Sequence, residues 1–156
     1  MKNINKLTIS LSVILIASSC AFNYKAPTGK SKSAKANITD SNKVFKSAKR
    51  SLLLNDYKIS YSDKEEGIVS SAYKNFKVNP TQADCGETLG LDYLKDKRTK
   101  TEVSFNIIID KKQIEVKSSI KGEYKPNSVA GVQNITLTCI SKGVLERDLL
   151  NKIIRR

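Results

Sequence analysis

The sequence predicts an α+β domain in which two helices pack on one face of an antiparallel sheet of about five strands. Three observations lead there. A stretch with apolar residues every third or fourth position follows residue 40, a similar stretch closes the chain, and between them apolar and polar residues alternate. These are the periods of a one-sided helix and of a half-buried strand.

In "SNKVFKSAKRSLLLND", Val44, Ala48 and Leu52 recur every four residues, with Phe45 and Leu53 alongside. That spacing lays an apolar stripe along one helix face, and Asp40 or Ser41 can cap its first amides. The period then changes to two. Tyr57, Ile59 and Tyr61 alternate with Lys58 and Ser60, "SDKEEG" supplies turn residues, and Ile68, Ser70 and Ala72 alternate with Val69, Ser71 and Tyr73. This is a β-hairpin. A second hairpin places Val103, Phe105, Ile107 and Ile109 opposite Glu102, Ser104, Asn106 and Ile108. After a turn at Asp110, Lys111 and Lys112, its return strand places Ile114, Val116, Ser118 and Ile120 opposite Glu115, Lys117, Ser119 and Lys121. Both strands are expected to have one buried and one wet face. "VQNITLTCIS" reads as a fifth strand with Ile135, Leu137 and Cys139 on one side. In the closing "GVLERDLLNKIIRR", Leu145, Leu149 and Ile153 share a helical face with Val144, Leu150 and Ile154 nearby, and basic residues occupy the last turn, where the helix dipole favours them.

The N-terminus reads differently. Lys2 and Lys6 precede an apolar stretch from Leu7 to Ala17, too short to span a bilayer, which takes roughly 20 apolar residues. It has the form of an export leader. The small residues Ala17, Ser18 and Ser19 before Cys20 resemble the lipobox of bacterial lipoproteins, with Ala17 where that family most often has Leu. The resemblance implies cleavage before Cys20 and acylation of its thiol; an ordinary secretory leader cut nearby is the alternative. Several buried acyl chains, at about 0.8 kcal/mol per methylene, would hold the chain on a membrane. Ala21 is not the Asp that marks inner-membrane retention in enteric bacteria, so the outer membrane, facing the periplasm, is the expected location.

Three segments follow: a signal peptide over 1–19, a lipidated flexible tether over 20–40, and one α+β domain over 41–156. The tether is expected because "AFNYKAPTGKSKSAKANITD" is rich in Lys, Ser, Pro and Gly and poor in bulky apolar residues. Removing residues 1–19 leaves 137 of the 156 residues and lowers the formal charge from +13 to +11, since Lys2 and Lys6 leave with the leader. That length supports one modest core. The basic balance suits anionic membrane surfaces, and nucleic acid is not expected for an exported chain.

Cysteine and histidine usage narrows the chemistry. With Cys20 assigned to lipid, Cys85 and Cys139 remain, and in an exported protein an even remainder suggests a disulfide. There is no histidine and no closely spaced cysteine pair, so neither a metal site nor a histidine-based nucleophilic triad is expected. The glycines follow no phosphate-loop spacing. The expectation is a protein without enzymatic activity and without a cofactor.

Three further resemblances are local. The segment "VFKSAKRSLLLNDYKISYSDKEEGIVSSAY" is similar to a helix and hairpin opening in small envelope lipoproteins, including domains of the C subunit of the β-barrel assembly machinery. The tail containing Cys139, Ser141, Gly143 and Glu146 is similar to a Cys-x-Ser-x-Gly-x-x-Glu ending in uncharacterised lipoproteins, which implies no activity. "CAFNYK" is similar to the start of the lipoproteins that help insert lipopolysaccharide; those begin with a strand, whereas the first element expected here is a helix. Together these imply a lipid-anchored, non-catalytic binding or assembly-accessory module whose partner is an envelope protein. Candidate contacts on the wet sheet face are Lys58, Tyr73, Lys117 and Lys121. A second reading is direct binding of anionic glycolipid or phospholipid through Lys95, Lys97, Arg98 and Lys100 in "KDKRTK". A third, inhibition of host lysozyme, fits an anchored disulfide protein but not its positive charge, which a basic enzyme would repel.

Overall fold

Residues 24–126 and 134–155 are described by a computed structural model. The expected leader, Cys20 and the first residues of "VQNITLTCIS" lie outside them. The elements in chain order are β1 (Tyr24–Lys25), β2 (Ala34–Asn37), α1 (Ser41–Leu54), β3 (Ile59–Asp63), β4 (Ile68–Ser71), β5 (Lys74–Asn75), β6 (Ala83–Asp84), β7 (Glu87–Thr88) and β8 (Leu91–Asp92). A 3-10 turn at Tyr93–Lys95 leads into β9 (Thr99–Ile109), β10 (Gln113–Tyr124), β11 (Ile135–Thr138), β12 (Ile140–Ser141) and α2 (Val144–Ile154).

The class is α+β, and the main sheet is larger than expected, with seven antiparallel strands. The long hairpin β9–β10 is its centre. β11 and β2 share the free edge of β10, one at each end, while β4 and β5 share that of β9 and β3 pairs beyond β4. Val103, Phe105, Ile107 and Ile109 of β9 are buried with Ile114 and Val116 of β10, as alternation requires. They join Phe45, Ala48 and Leu52 of α1 and Leu145, Leu149 and Ile153 of α2 in one core.

Three expectations change. The segment 20–40 does not read as a spacer where it is described: β2 continues the main sheet, its Ala34 is buried, and Asp40 accepts from the Lys43 amide to cap α1. The folded unit therefore starts before Ser41, and its first described elements are strands. A sequence poor in apolar residues joins the fold here through ladder hydrogen bonds, which leave no compositional trace. Tyr61 does not share the buried side of Tyr57 and Ile59. The register slips between Ile59 and Tyr61, and this bulge turns Tyr61 to the outer face, where it is exposed. On α1, Leu53 is exposed and Ser51 is buried, because the stripe follows Phe45, Ala48 and Leu52 and α2 crosses beside Ser51. The long connection before β9 carries β6, β7 and β8.

Candidate functional site

Two surfaces and one buried cluster hold the residues of interest. The first surface is the outer side of the main sheet, opposite the helices. Register places Glu115, Lys117, Ser119 and Lys121 of β10 beside Ile108, Asn106, Ser104 and Glu102 of β9. Of the predicted contacts, Tyr73 and Lys121 are brought together: the Lys121 ammonium lies 3.9 Å from the Tyr73 ring centre, a cation–π contact. Lys117 pairs with Glu115 at 3.5 Å, and Lys35 approaches the same carboxylate at 3.6 Å. The Ser33 hydroxyl, then these two lysines, hold the Glu115 carboxyl below its ordinary value. Lys58 is exposed, and its carbonyl accepts from the Ala72 amide at 2.8 Å, next to Tyr73. Tyr61 and Ile108, which periodicity did not single out, add exposed apolar surface on this side.

The second surface surrounds the disulfide. Ile140 pairs with Asp84 and Ser141 with Ala83, so Cys85 and Cys139 fall opposite each other as the next pair along the ladder. Their sulfurs are bonded at 2.02 Å across 54 residues of chain. Beside them, β7 forms a small sheet with β1 and β8. The Tyr24 hydroxyl accepts from the Thr138 amide at 2.9 Å and donates to the Cys85 carbonyl at 3.2 Å. Its ring meets Tyr93 edge-on, and Tyr93 meets Tyr124. Gly86 is required here, since a Cβ would lie 2.4 Å from the Lys25 carbonyl oxygen. Lys25, Pro27, Asp84, Glu87, Asp92 and Lys142 line a cleft of about 290 Å³ on this side.

The lysine-rich stretch adjoins it. Lys95, Lys97 and Lys100 are exposed. Arg98 is engaged: its guanidinium binds Asp96 through two nitrogens, at 2.6 and 3.0 Å, and lies 4.9 Å from the Tyr124 ring centre. That side-chain hydrogen bond, helped by the Arg98 amide, lowers the Asp96 carboxyl to about 2.

The buried cluster accounts for the Cys-x-Ser-x-Gly-x-x-Glu tail. Glu146 is fully buried in the first turn of α2. Its carboxylate accepts from the Ser118 amide (3.2 Å), the Ser118 hydroxyl and the Ser141 hydroxyl (2.8 Å). Ser141 Oγ in turn accepts from the Gly143 amide at 3.1 Å, and Gly143 opens the helix in the left-handed conformation, φ 84°. The tail is thus a helix-start lock, related to a capping box. It joins α2 to β10 and to the strand beside the disulfide. The resemblance of the tail singled out these four residues; that Ser141, Gly143 and Glu146 are buried and Cys139 half-buried came from the third dimension.

No protein-family model matches this chain, and no curated protein matches it in sequence. Among the described residues, no cluster of three or more His, Cys, Asp or Glu side chains is placed to hold a metal ion, and no helix is long and apolar enough to cross a membrane.

Proposed function

We propose that this protein is a lipid-anchored component of a bacterial envelope, held by an acylated Cys20, that works without catalysis by binding another envelope protein through the outer face of its main sheet. One observation carries this reading: a seven-stranded sheet covered by helices on one side presents Tyr61, Tyr73 and Ile108 exposed on the other, interspersed with Lys117 and Lys121. Exposed tyrosines gathered on one sheet face are of the residue type enriched in contact surfaces, where the charged residues sit at the rim. The best-shielded carboxylate, Glu146, is saturated by serine donors and serves the fold, which supports a role in binding over one in acid–base chemistry.

A photo-crosslinking residue at Lys117 or Tyr73, in the native protein in its own membranes, tests the proposal. A discrete crosslinked envelope protein, lost when Lys121 is changed to Glu, is the expected result. The same residue at Lys111, in the β9–β10 turn, should not capture it. Equal capture from Lys111, or no protein adduct from either face position, refutes the assignment.

A further inference from the structure

Leu89 and Leu91 are the most exposed large apolar side chains among the described residues, at 84% and 76%. They sit at the tip of the β7–β8 hairpin, whose two-residue turn is Leu89–Gly90 between the paired Thr88 and Leu91. Both turn residues have positive φ, 52° at Leu89 and 76° at Gly90. Hairpin turns of this hand are normally made by Asn, Asp or Gly, and a leucine strains there. A residue that is wrong for the turn and finds no core to enter points to a use outside the fold.

The hairpin also stands where the chain would leave a membrane. β1 pairs antiparallel with β7, Tyr24 opposite Thr88 and Lys25 opposite Glu87. The chain therefore enters β1 from the side of the turn, and Cys20 precedes Tyr24 by only four residues, at most about 14 Å of extended chain. β1 is fastened by the Tyr24 hydroxyl bonds and the Tyr24–Tyr93 contact, so this distance cannot be lengthened by a loose spacer. The charged groups lining the cleft beside the hairpin are Lys25, Asp84, Glu87, Asp92 and Lys142, and the exposed Lys95 and Lys97 follow β8 in the chain. Glu87 is paired with Lys25 at 3.2 Å, and the lysines at 25, 95, 97 and 142 outnumber the carboxylates of Asp84, Glu87 and Asp92. The chain beyond the leader carries a formal +11.

We infer that the β7–β8 hairpin is a second membrane contact: Leu89 and Leu91 enter the headgroup and upper acyl region of a phospholipid bilayer rich in anionic lipid and fix how the domain stands on the membrane holding Cys20. The inference rests on the reading of Cys20 as the acylated N-terminus. It leaves the far end of the sheet, with the β9–β10 turn, pointing away from the bilayer, since β9 is eleven residues long, about 35 Å.

The chain has no tryptophan, so one introduced indole reports alone. The native lipidated protein carrying Leu91→Trp or Lys111→Trp is reconstituted into phosphatidylethanolamine and phosphatidylglycerol vesicles with acyl chains brominated near the headgroup. Emission from position 91 should shift to the blue and be quenched; emission from position 111 should not. Adding Leu89→Asn to Leu91→Trp should weaken vesicle partitioning of the hairpin about tenfold, the share of roughly half a leucine's burial, while the urea midpoint stays equal or rises, because Asn suits the turn. Equal quenching at 91 and 111 in vesicle-bound protein, or no binding to vesicles at all, overturns the inference. The mass of the N-terminal peptide separates the two ideas. Without acyl groups on Cys20 but with quenching at 91, the anchor reading fails and the hairpin contact stands; with acyl groups and no quenching, the hairpin fails alone.

Discussion

Replacing Glu146 with alanine tests how the last helix is held. In the native protein the Ser118 amide, the Ser118 hydroxyl and the Ser141 hydroxyl all donate to this fully buried carboxylate. Alanine strands all three donors. At about 1 kcal/mol each, the low end for a buried unsatisfied group, with about 1 kcal/mol more for the emptied volume, the loss is about 4 kcal/mol. That is a large part of the roughly 5–15 kcal/mol that holds a domain folded. Glu146→Gln keeps one acceptor oxygen and should lose about half as much. The assay is urea unfolding followed by circular dichroism, with the disulfide intact. A double-mutant cycle with Ser118→Ala adds a sharper criterion, because the paired loss should be smaller than the sum of the single losses by about 1 kcal/mol or more. If Glu146→Ala unfolds within about 1 kcal/mol of the native protein at an unchanged denaturant slope, the lock does not carry the energy assigned to it.

Four other outcomes are expected. Cys139→Ser should lose about 4 kcal/mol on chain-entropy grounds, given the 54-residue separation from Cys85; adding reductant should move the native protein's urea midpoint and leave the variant's alone. Gly86→Ala should loosen β1 from β7, since its Cβ would meet the Lys25 carbonyl oxygen at 2.4 Å, and hydrogen exchange at Glu87, the β7 residue opposite Lys25, should rise before exchange in β9 changes. Burial raises the Tyr57 phenol to about 12, above the value near 10 of an unfolded chain. The folded state thus holds this proton more tightly, so the contribution is complete below about pH 10 and is lost as pH climbs toward 12; Tyr57→Phe should flatten the loss of stability between those values, read from urea midpoints. Arg98→Ala should let the Asp96 carboxyl rise from about 2 toward the ordinary carboxylate range, as followed by carboxyl NMR titration, with little change in stability for so exposed a pair.

The centre of the β9–β10 hairpin was legible in the sequence because each strand buries one face, and burial writes a period of two into the residues; Ser104, on the expected wet face, is nevertheless buried. α1 and α2 were legible for the same reason at the longer period, although Leu53 shows the limit: on a helix shared with a neighbour, the crossing of α2 beside Ser51 decides which flank is covered. β1, β2 and β5 to β8 were not legible. They are two to four residues long and held mainly by backbone hydrogen bonds, which any side chain permits. Tyr61 was misplaced because a single-residue bulge reverses every later side chain of a strand without altering composition. Among the candidate contacts, the pairing of Tyr73 with Lys121 and the engagement of Arg98 by Asp96 join residues that alternation could only place on a face.

By itself the sequence determined the α+β class, the central strands and two helices, and the pair of cysteines available to each other, since all three follow from which residues avoid water and how many thiols remain. Only the tertiary structure decided what those residues face. It turned a serine–glycine–glutamate tail into a buried lock, set Cys85 opposite Cys139 through the β6–β12 register, and drew a lysine-rich N-terminal segment into two sheets. It also left two leucines exposed at a hairpin tip beside β1, the first described strand. Hydrophobicity acts on each residue alone and can be read in order; register and long-range hydrogen bonds join residues far apart in the chain, and no local pattern encodes them.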